Sequence, residues 1–532
     1  MKKTKTACLI LLIICSLMAS ACSSGNFAPP SYSSSPQQLS PSASTAPAYP
    51  APSGAPTPNL QDSSYATSGE SYLVINENLA VSTDVESTLT FSLKVDTAAY
   101  TNVARYIESG NLPPSDAVRT EELINYFSYD GNMYFEEDNV FAISAEVGPS
   151  PFNSDSHMAL VRVKSKDIDK TELPPCNLTF LIDSSGSMSS YDKMPLLKES
   201  FSLLVETLTE DDRVSIVTYA GKSDILLDGA SGADKDRILS VINSLEAGGS
   251  TAGGHGIKTA YSLAEKNFMP NANNRVILAT DGDFNVGVSS NSALARLVGE
   301  KRGNGVYLSV LGYGMGNIRD DLMETLSKEG NGNYFYINDL AAAKKALVDE
   351  LAANLYTIAD DVKAQVEFNP RNVKSYRLIG YENRLLTNED FADDTKDAGE
   401  IGIGTDVILM FELELYNTSL GSGSRYAPAS DVQPDYADEL FEVRLRYKNP
   451  GEDISNLMTR QVFFDDIVRS GSTDFKFASA VAAFAHLLRG SENAKTVTFG
   501  DVQALAEEGI GPDFAGYRRD FMKLLDMYER LA

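Results

Sequence analysis

Cysteine is almost absent from this 532-residue chain: Cys8, Cys15, Cys22 and Cys176 are all it has. The first two lie in an N-terminal leader and the third has a separate role, described below. Cys176 alone cannot form an internal disulfide, so the fold must rest on its core. A lone thiol just before an apolar strand reads as buried packing rather than as a reactive group. Histidine is as scarce. His157, His255 and His486 are far apart and show neither H-E-x-x-H nor paired-cysteine spacing, which argues against a zinc site. His255 opens a helix, where a surface or capping role competes with a place on the rim of the site described below. Positive charge is also short. Against 73 Asp and Glu there are 45 Lys and Arg, a formal charge of −28. Loss of Lys2, Lys3 and Lys5 with the leader makes the remainder more acidic still. Nucleic acid and anionic lipid surfaces should repel such a chain, so no nucleic-acid partner is expected. An acidic partner group would need a cation between the two.

The leader has a positive start, an apolar run Ala7–Met18 too short to span a membrane, and small residues Ala19, Ser20 and Ala21 before Cys22. It reads as a secretion signal over residues 1–21. The stretch before Cys22 also resembles a bacterial lipobox, which implies diacylation of Cys22 and anchoring on the exported side of the membrane. Ordinary secretion with a free Cys22 is the competing reading. Ser23 rather than Asp after Cys22 favours the outer membrane if the cell has two. Residues 22–70 are rich in Ser, Pro and Ala and nearly uncharged; they cannot bury enough apolar surface to order themselves and fit a tether.

Beyond the tether the patterning changes three times. Residues 71–171 carry helical stretches at Ala98–Ser109 and Glu121–Phe127 and strands at Asn139–Val147 and Met158–Lys164. Residues 172–360 alternate strands with helices, ending in a helix over Leu340–Ala359, and predict a doubly wound, mostly parallel sheet. Over residues 361–470 apolar and polar residues alternate strictly, as in Val362, Ala364, Val366 and Phe368, the sign of half-buried antiparallel strands. With the strands before residue 171 they should form one antiparallel β-sandwich into which the α/β unit is inserted. Residues 471–532 read as a helical segment.

The chemistry gathers at strand ends. The apolar run Asn177–Ile182 ends in Asp183-x-Ser185-x-Ser187, a carboxylate and two hydroxyls on a short loop. Such hard oxygen donors suit Mg²⁺, with Mn²⁺ or Ca²⁺ as alternatives, better than zinc. Alone the triplet is equally a helix N-cap. A second loop brings the hydroxyl of Thr251, and a second apolar strand, Val276–Thr280, ends in Asp281. Three strand ends with oxygen donors are hard to attribute to capping. The run Asp281-x-Asp283-x-Asn285 starts like an EF-hand loop but has Val286 and Ser292 where Gly and Glu are needed. The acidic stretch Glu389–Glu400 reads as a solvated loop rather than a Ca²⁺ site.

Asp183, Ser185, Ser187, Thr251 and Asp281, in this order, resemble the metal-ion-dependent adhesion site of von Willebrand factor type A (vWA) domains. Phe91–Ala98, Glu121–Phe127, Ile277–Gly287, Gly330–Tyr334, Leu378–Arg384 and the tail around Phe475–Gly490 are similar to a bacterial family of vWA lipoproteins. The resemblance implies a Rossmann-like vWA fold, a divalent ion held by the five residues, and a partner whose Glu or Asp fills an open coordination position. It implies a surface-tethered binding module rather than an enzyme. No nucleophile elbow or P-loop is present, and no base accompanies Ser185. The leading function is metal-dependent protein binding in adhesion or envelope scaffolding. A Mg²⁺-dependent hydrolase or phosphatase, and a structural lipoprotein with a vestigial site, are the alternatives.

Overall fold

The computed structural model describes residues 69–531 apart from 95, 130, 137–138, 170–172, 250–253, 283–289 and 417–435. The leader, Cys22 and the tether as far as residue 68 lie outside the described residues.

The chain first lays down β1 (Val81–Ser82), β2 (Thr88–Ser92), α1 (Ala98–Glu108), α2 (Thr120–Asn125), β3 (Phe141–Pro149) and β4 (His157–Ser165). It then builds an α/β unit from β5 (Cys176–Asp183), α3 (Met194–Thr207), β6 (Arg213–Tyr219), β7 (Ser223–Ser231), α4 (Lys235–Asn243), α5 (Gly254–Lys266), β8 (Asn273–Thr280), α6 (Asn291–Gly303), β9 (Tyr307–Tyr313), α7 (Asp320–Glu329), β10 (Tyr334–Ile337), α8 (Leu340–Lys344) and α9 (Leu351–Leu355). The sheet order is β10-β9-β8-β5-β6-β7, parallel throughout except for the antiparallel edge strand β7. Every residue of β5 and β8 is buried, as strands covered by helices on both faces must be. Leu178, Phe180 and Ile182 enter one core with Phe201 of α3, whose ring stacks on Phe180 at 4.4 Å. Leu181 points the other way, into a second core with Ile257 and Tyr261 of α5. Each such side chain, fully buried, contributes about 1.5–3 kcal/mol.

Two features depart from the sequence reading. Strand β7 shows no clear alternation and exposes Ile225 and Leu226, as an edge strand can. The helix expected over Leu340–Ala359 widens to a π-turn at Lys345–Asp349 and ends at Leu355. The next strand begins at Thr357, where register shifts against both neighbours mask its alternation.

The chain then completes the frame with β11 (Thr357–Phe368), β12 (Val373–Ile379), β13 (Leu385–Leu386), β14 (Gly399–Gly402), β15 (Asp406–Leu415), β16 (Glu439–Lys448) and β17 (Asn456–Phe463). One sheet runs β1-β12-β15-β4-β3 and the other β13-β2-β11-β16-β17, with β14 on β11. All pairings in them are antiparallel, and each sheet mixes strands from before and after the α/β unit. Phe368 stacks on Tyr376 at 4.0 Å within the core they share. The α/β unit is thus an insertion in a β-sandwich.

Helices α10 (Thr473–Arg489), α11 (Phe499–Glu508) and α12 (Tyr517–Glu529) close the chain and share an aromatic core with α1 and α2. Ser472 caps α10 by accepting from Phe475 N, and Gly490 ends it at φ 63°. A buried ionic junction joins these parts. Arg119 at the start of α2 pairs with Glu122 and with Asp320 of α7, the latter at 2.6 Å. Nearby, Arg384 pairs with Asp96 at 3.0 Å and Glu324 at 3.5 Å.

His486 on α10 is buried, has neither ring nitrogen hydrogen-bonded among the described residues, and meets Phe152 edge-on at 4.9 Å. Burial, helped by Arg377 and Arg489 and opposed by Glu77, holds its pKa down at about 3 instead of 6.5. The unfolded chain therefore binds the extra proton between these values, and stability falls as pH drops below 6.5 by as much as ~1.4 kcal/mol per unit. His486→Leu should make the loss between about pH 6.5 and about pH 4.5 smaller by ~2 kcal/mol in urea titrations. An identical loss in both proteins would exclude this origin.

Candidate metal centre

The α/β sheet presents its carboxyl edge as a row of loops, the usual binding edge of such sheets. Strand β5 pairs with β8 so that Ile182 lies opposite Ala279, which places Asp183 and Asp281 at adjacent strand ends. Both carboxylates are fully buried. Asp183 Oδ1 accepts from Ser185 N at 2.8 Å, and Oδ2 accepts from Tyr219 OH at 3.2 Å and Thr280 Oγ1 at 3.1 Å. These are neutral donors, and among the described residues no cation pairs with Asp183. Burial above all pushes its carboxyl up to about 6; Asp281 adds to the rise, and the hydrogen bonds from Ser185 and Thr280 oppose it.

Ser185 and Ser187 bring their hydroxyl oxygens within 2.9 Å of each other on the same loop. Thr251 lies outside the described residues, but its loop is stitched to this one up to Gly249. Gly248 N donates to Ser184 O at 2.8 Å, and Gly186 N donates to Gly249 O at 3.2 Å. Gly282 turns the chain away after Asp281 at φ 99°. A Cβ there would fall 2.6 Å from Arg319 N, so no larger residue fits. Four of the five sequence-predicted donors thus converge on one edge. Asp283 and Asn285 lie outside the described residues.

Three contributors were not read from the sequence. Tyr219 and Thr280 hold Asp183, and Lys193 Nζ donates to Asp281 Oδ2 at 2.8 Å. A lysine on the loop into α3 carries no pattern that would announce such a contact. His255 is exposed at the start of α5, and Cys176 is buried with Sγ 3.0 Å from Tyr356 OH. Burial pushes the Cys176 thiol up to about 12, which fits a packing residue.

The donor set fits a hard divalent ion. Two carboxylates and two or three hydroxyls suit Mg²⁺, which keeps several waters and needs few protein charges. Among the described residues no group of three or more His, Cys, Asp or Glu converges as a metal cluster. A hydroxyl-rich set of this kind has only two such residues.

The sequence model of the von Willebrand factor type A domain matches residues 177–350, and a second von Willebrand factor model matches 66–161. The C-terminal model of YfbK matches residues 353–531. The uncharacterised YfbK protein of Escherichia coli K12 is 42% identical over 446 residues, covering 82% of this chain and 77% of YfbK. The chain belongs to the YfbK family of vWA proteins. Within that family its vWA domain is the insertion built on β5–β10. Human inter-alpha-trypsin inhibitor heavy chain H3 is 26% identical over 166 residues, 30% of this chain and 18% of that one. A solved von Willebrand factor type A structure from Catenulispora acidiphila is similar at 17% identity and a TM-score of 0.41, covering 74% of this chain and 91% of that one.

Proposed function

We propose that this vWA protein is tethered to the bacterial envelope and binds a protein partner through a divalent ion, Mg²⁺ or else Mn²⁺ or Ca²⁺. Asp183, Ser185, Ser187 and Asp281 would hold the ion, with Thr251 joining from its loop. The reading is carried by Asp183, a fully buried carboxylate whose hydrogen-bond partners are all neutral. A buried charge of that kind is costly unless a cation balances it. When bound, the ion supplies a hard electrophilic position for an oxygen anion. An acidic side chain on the partner is the natural group to fill it. Tyr191, 80% exposed, follows Ser187 on the same loop, and exposed Met315 leaves the same edge after β9. Aromatic and Met side chains of this sort are enriched in protein interfaces. The role is adhesion or the scaffolding of an envelope complex, with the Cys22 lipid as anchor, in the outer membrane where the cell has two. Among the described residues no helix is long and apolar enough to cross a membrane.

The test is capture of partners from an envelope extract in Mg²⁺, followed by elution with EDTA. A defined protein released by EDTA, and lost when its contacting Glu is changed to Gln, is the expected result. Partners that stay bound in EDTA would move the binding surface off the metal edge. Cys22→Ser run alongside should shift the protein from the membrane to the soluble fraction; retention after alkaline washing would overturn the anchor.

A further inference from the structure

The loop between Ser187 and α3 sends one side chain back to the metal edge. Lys193 is buried, with Nζ 2.8 Å from Asp281 Oδ2 and 3.3 Å from Asn317 Oδ1. Its stem runs over Gly314, which sits at φ +73°. A Cβ added there would fall 2.1 Å from Lys193 Cε and 2.4 Å from its Cγ. Only glycine both adopts that backbone and leaves the lysine its path. The ammonium is therefore held in place from two strand ends, those of β8 and β9.

A fixed positive charge beside a cation site works against cation binding, so its presence calls for a reason. Charge balance supplies one. Among the described residues the buried carboxylates at the edge are Asp183 and Asp281, which together neutralise one divalent ion; Asp192, on the Lys193 loop, is part-exposed to water and accepts from Ser190 Oγ. With a neutral side chain at position 193, a loaded site would have no net charge. A carboxylate docking on it would leave an uncompensated negative charge in a partly dry interface. With Lys193 the loaded site is net positive by one unit, and a single carboxylate brings it to neutrality.

We propose that Lys193 is a specificity device that weakens metal binding and in return makes the loaded site select a carboxylate over a neutral ligand. This rests on the metal-bridge reading above. It is distinct from a simple positioning role for Asp281, because it ties opposite effects to charge alone.

The experiment uses the soluble chain without its leader, Mn²⁺ as the metal probe and acetate as the carboxylate probe. Mn²⁺ affinity is read by electron paramagnetic resonance, and acetate by its displacement of Mn²⁺-bound water in proton relaxation. Lys193→Gln keeps a hydrogen-bond donor near Asp281 but removes the charge; Lys193→Arg keeps the charge. The Gln variant should bind Mn²⁺ at least about tenfold more tightly and acetate several-fold more weakly. The Arg variant should stay near the parent in both. Weaker Mn²⁺ binding in Lys193→Gln, or unchanged acetate affinity, would overturn the inference while leaving the metal site standing. If the parent and both variants bind no Mn²⁺, the metal reading itself falls and takes the inference with it.

Discussion

Asp183→Asn should abolish the Mg²⁺ stabilisation that the proposed site predicts, while leaving the metal-free protein at least as stable as the parent. The two effects have one cause. In the absence of an ion the Asp183 carboxylate is buried against Ser185 N, Tyr219 OH and Thr280 Oγ1, none of them charged. An amide keeps an acceptor for Ser185 N and removes the buried charge, so the apo fold loses little and can gain. The same change removes an anionic group that would hold the ion, and Mg²⁺ affinity should fall by ~100-fold. Ligand at a hundred times its dissociation constant stabilises a protein by about 2.7 kcal/mol. Thermal unfolding in Mg²⁺ and in EDTA should therefore show a clear metal-dependent rise in Tm for the parent and almost none for the variant. An equal rise in both would show that the ion binds elsewhere.

Arg119→Ala should be the most damaging single change in the junction between the vWA domain and its frame, costing ~3–5 kcal/mol. The Arg119 guanidinium is 3% exposed and donates to both Asp320 oxygens, at 2.6 and 3.2 Å, as well as to Glu122. Removing it strands two buried carboxylates, one on α2 and one on α7. The charge is the issue rather than the lost volume. Adding Asp320→Asn to Arg119→Ala should then recover part of the loss, because the two residues share one interaction. Equilibrium urea unfolding measures both. A double variant as unstable as the sum of the two singles would place the cost in packing instead.

How much of this could be read beforehand depended on which surface each segment meets. Strands β5 and β8 are buried on both faces, so their apolar runs stood out, and with them the carboxylates at their ends. Strand β16 buries one face, and its alternation was equally plain; β15 buries both faces over Val407–Phe411, one on the sandwich core and one on the helical layer, so alternation shows only at its end. Edge strands β7 and β17 satisfy no such pattern, because solvent takes one side of them and part of the other. The run from Leu340 to Tyr356 is rich in good helix formers, and only the π-turn and the return into β11 mark its end. At the candidate site, oxygen donors at strand ends were legible because a hard divalent ion would demand those residue types. Lys193 was not, since its contact with Asp281 depends on a loop path and on the gap at Gly314.

The insertion of the vWA domain sets an order of assembly on the ribosome. Strand β2 is made early, yet its neighbours β11 and β13 emerge only after the whole α/β unit; the hydrogen bond from Gln365 to Thr90 closes a loop of 275 positions. Strand β4 has β3 at once but waits for β15 on its other side. The six strands of the inserted sheet, in contrast, pair only with one another. Closing long loops is entropically slow, whereas the strand pairing of the inserted sheet waits for no later segment. The candidate metal edge can thus be complete while the sandwich is still an open set of strand edges, exposed to mispairing until the last third of the chain has been synthesised.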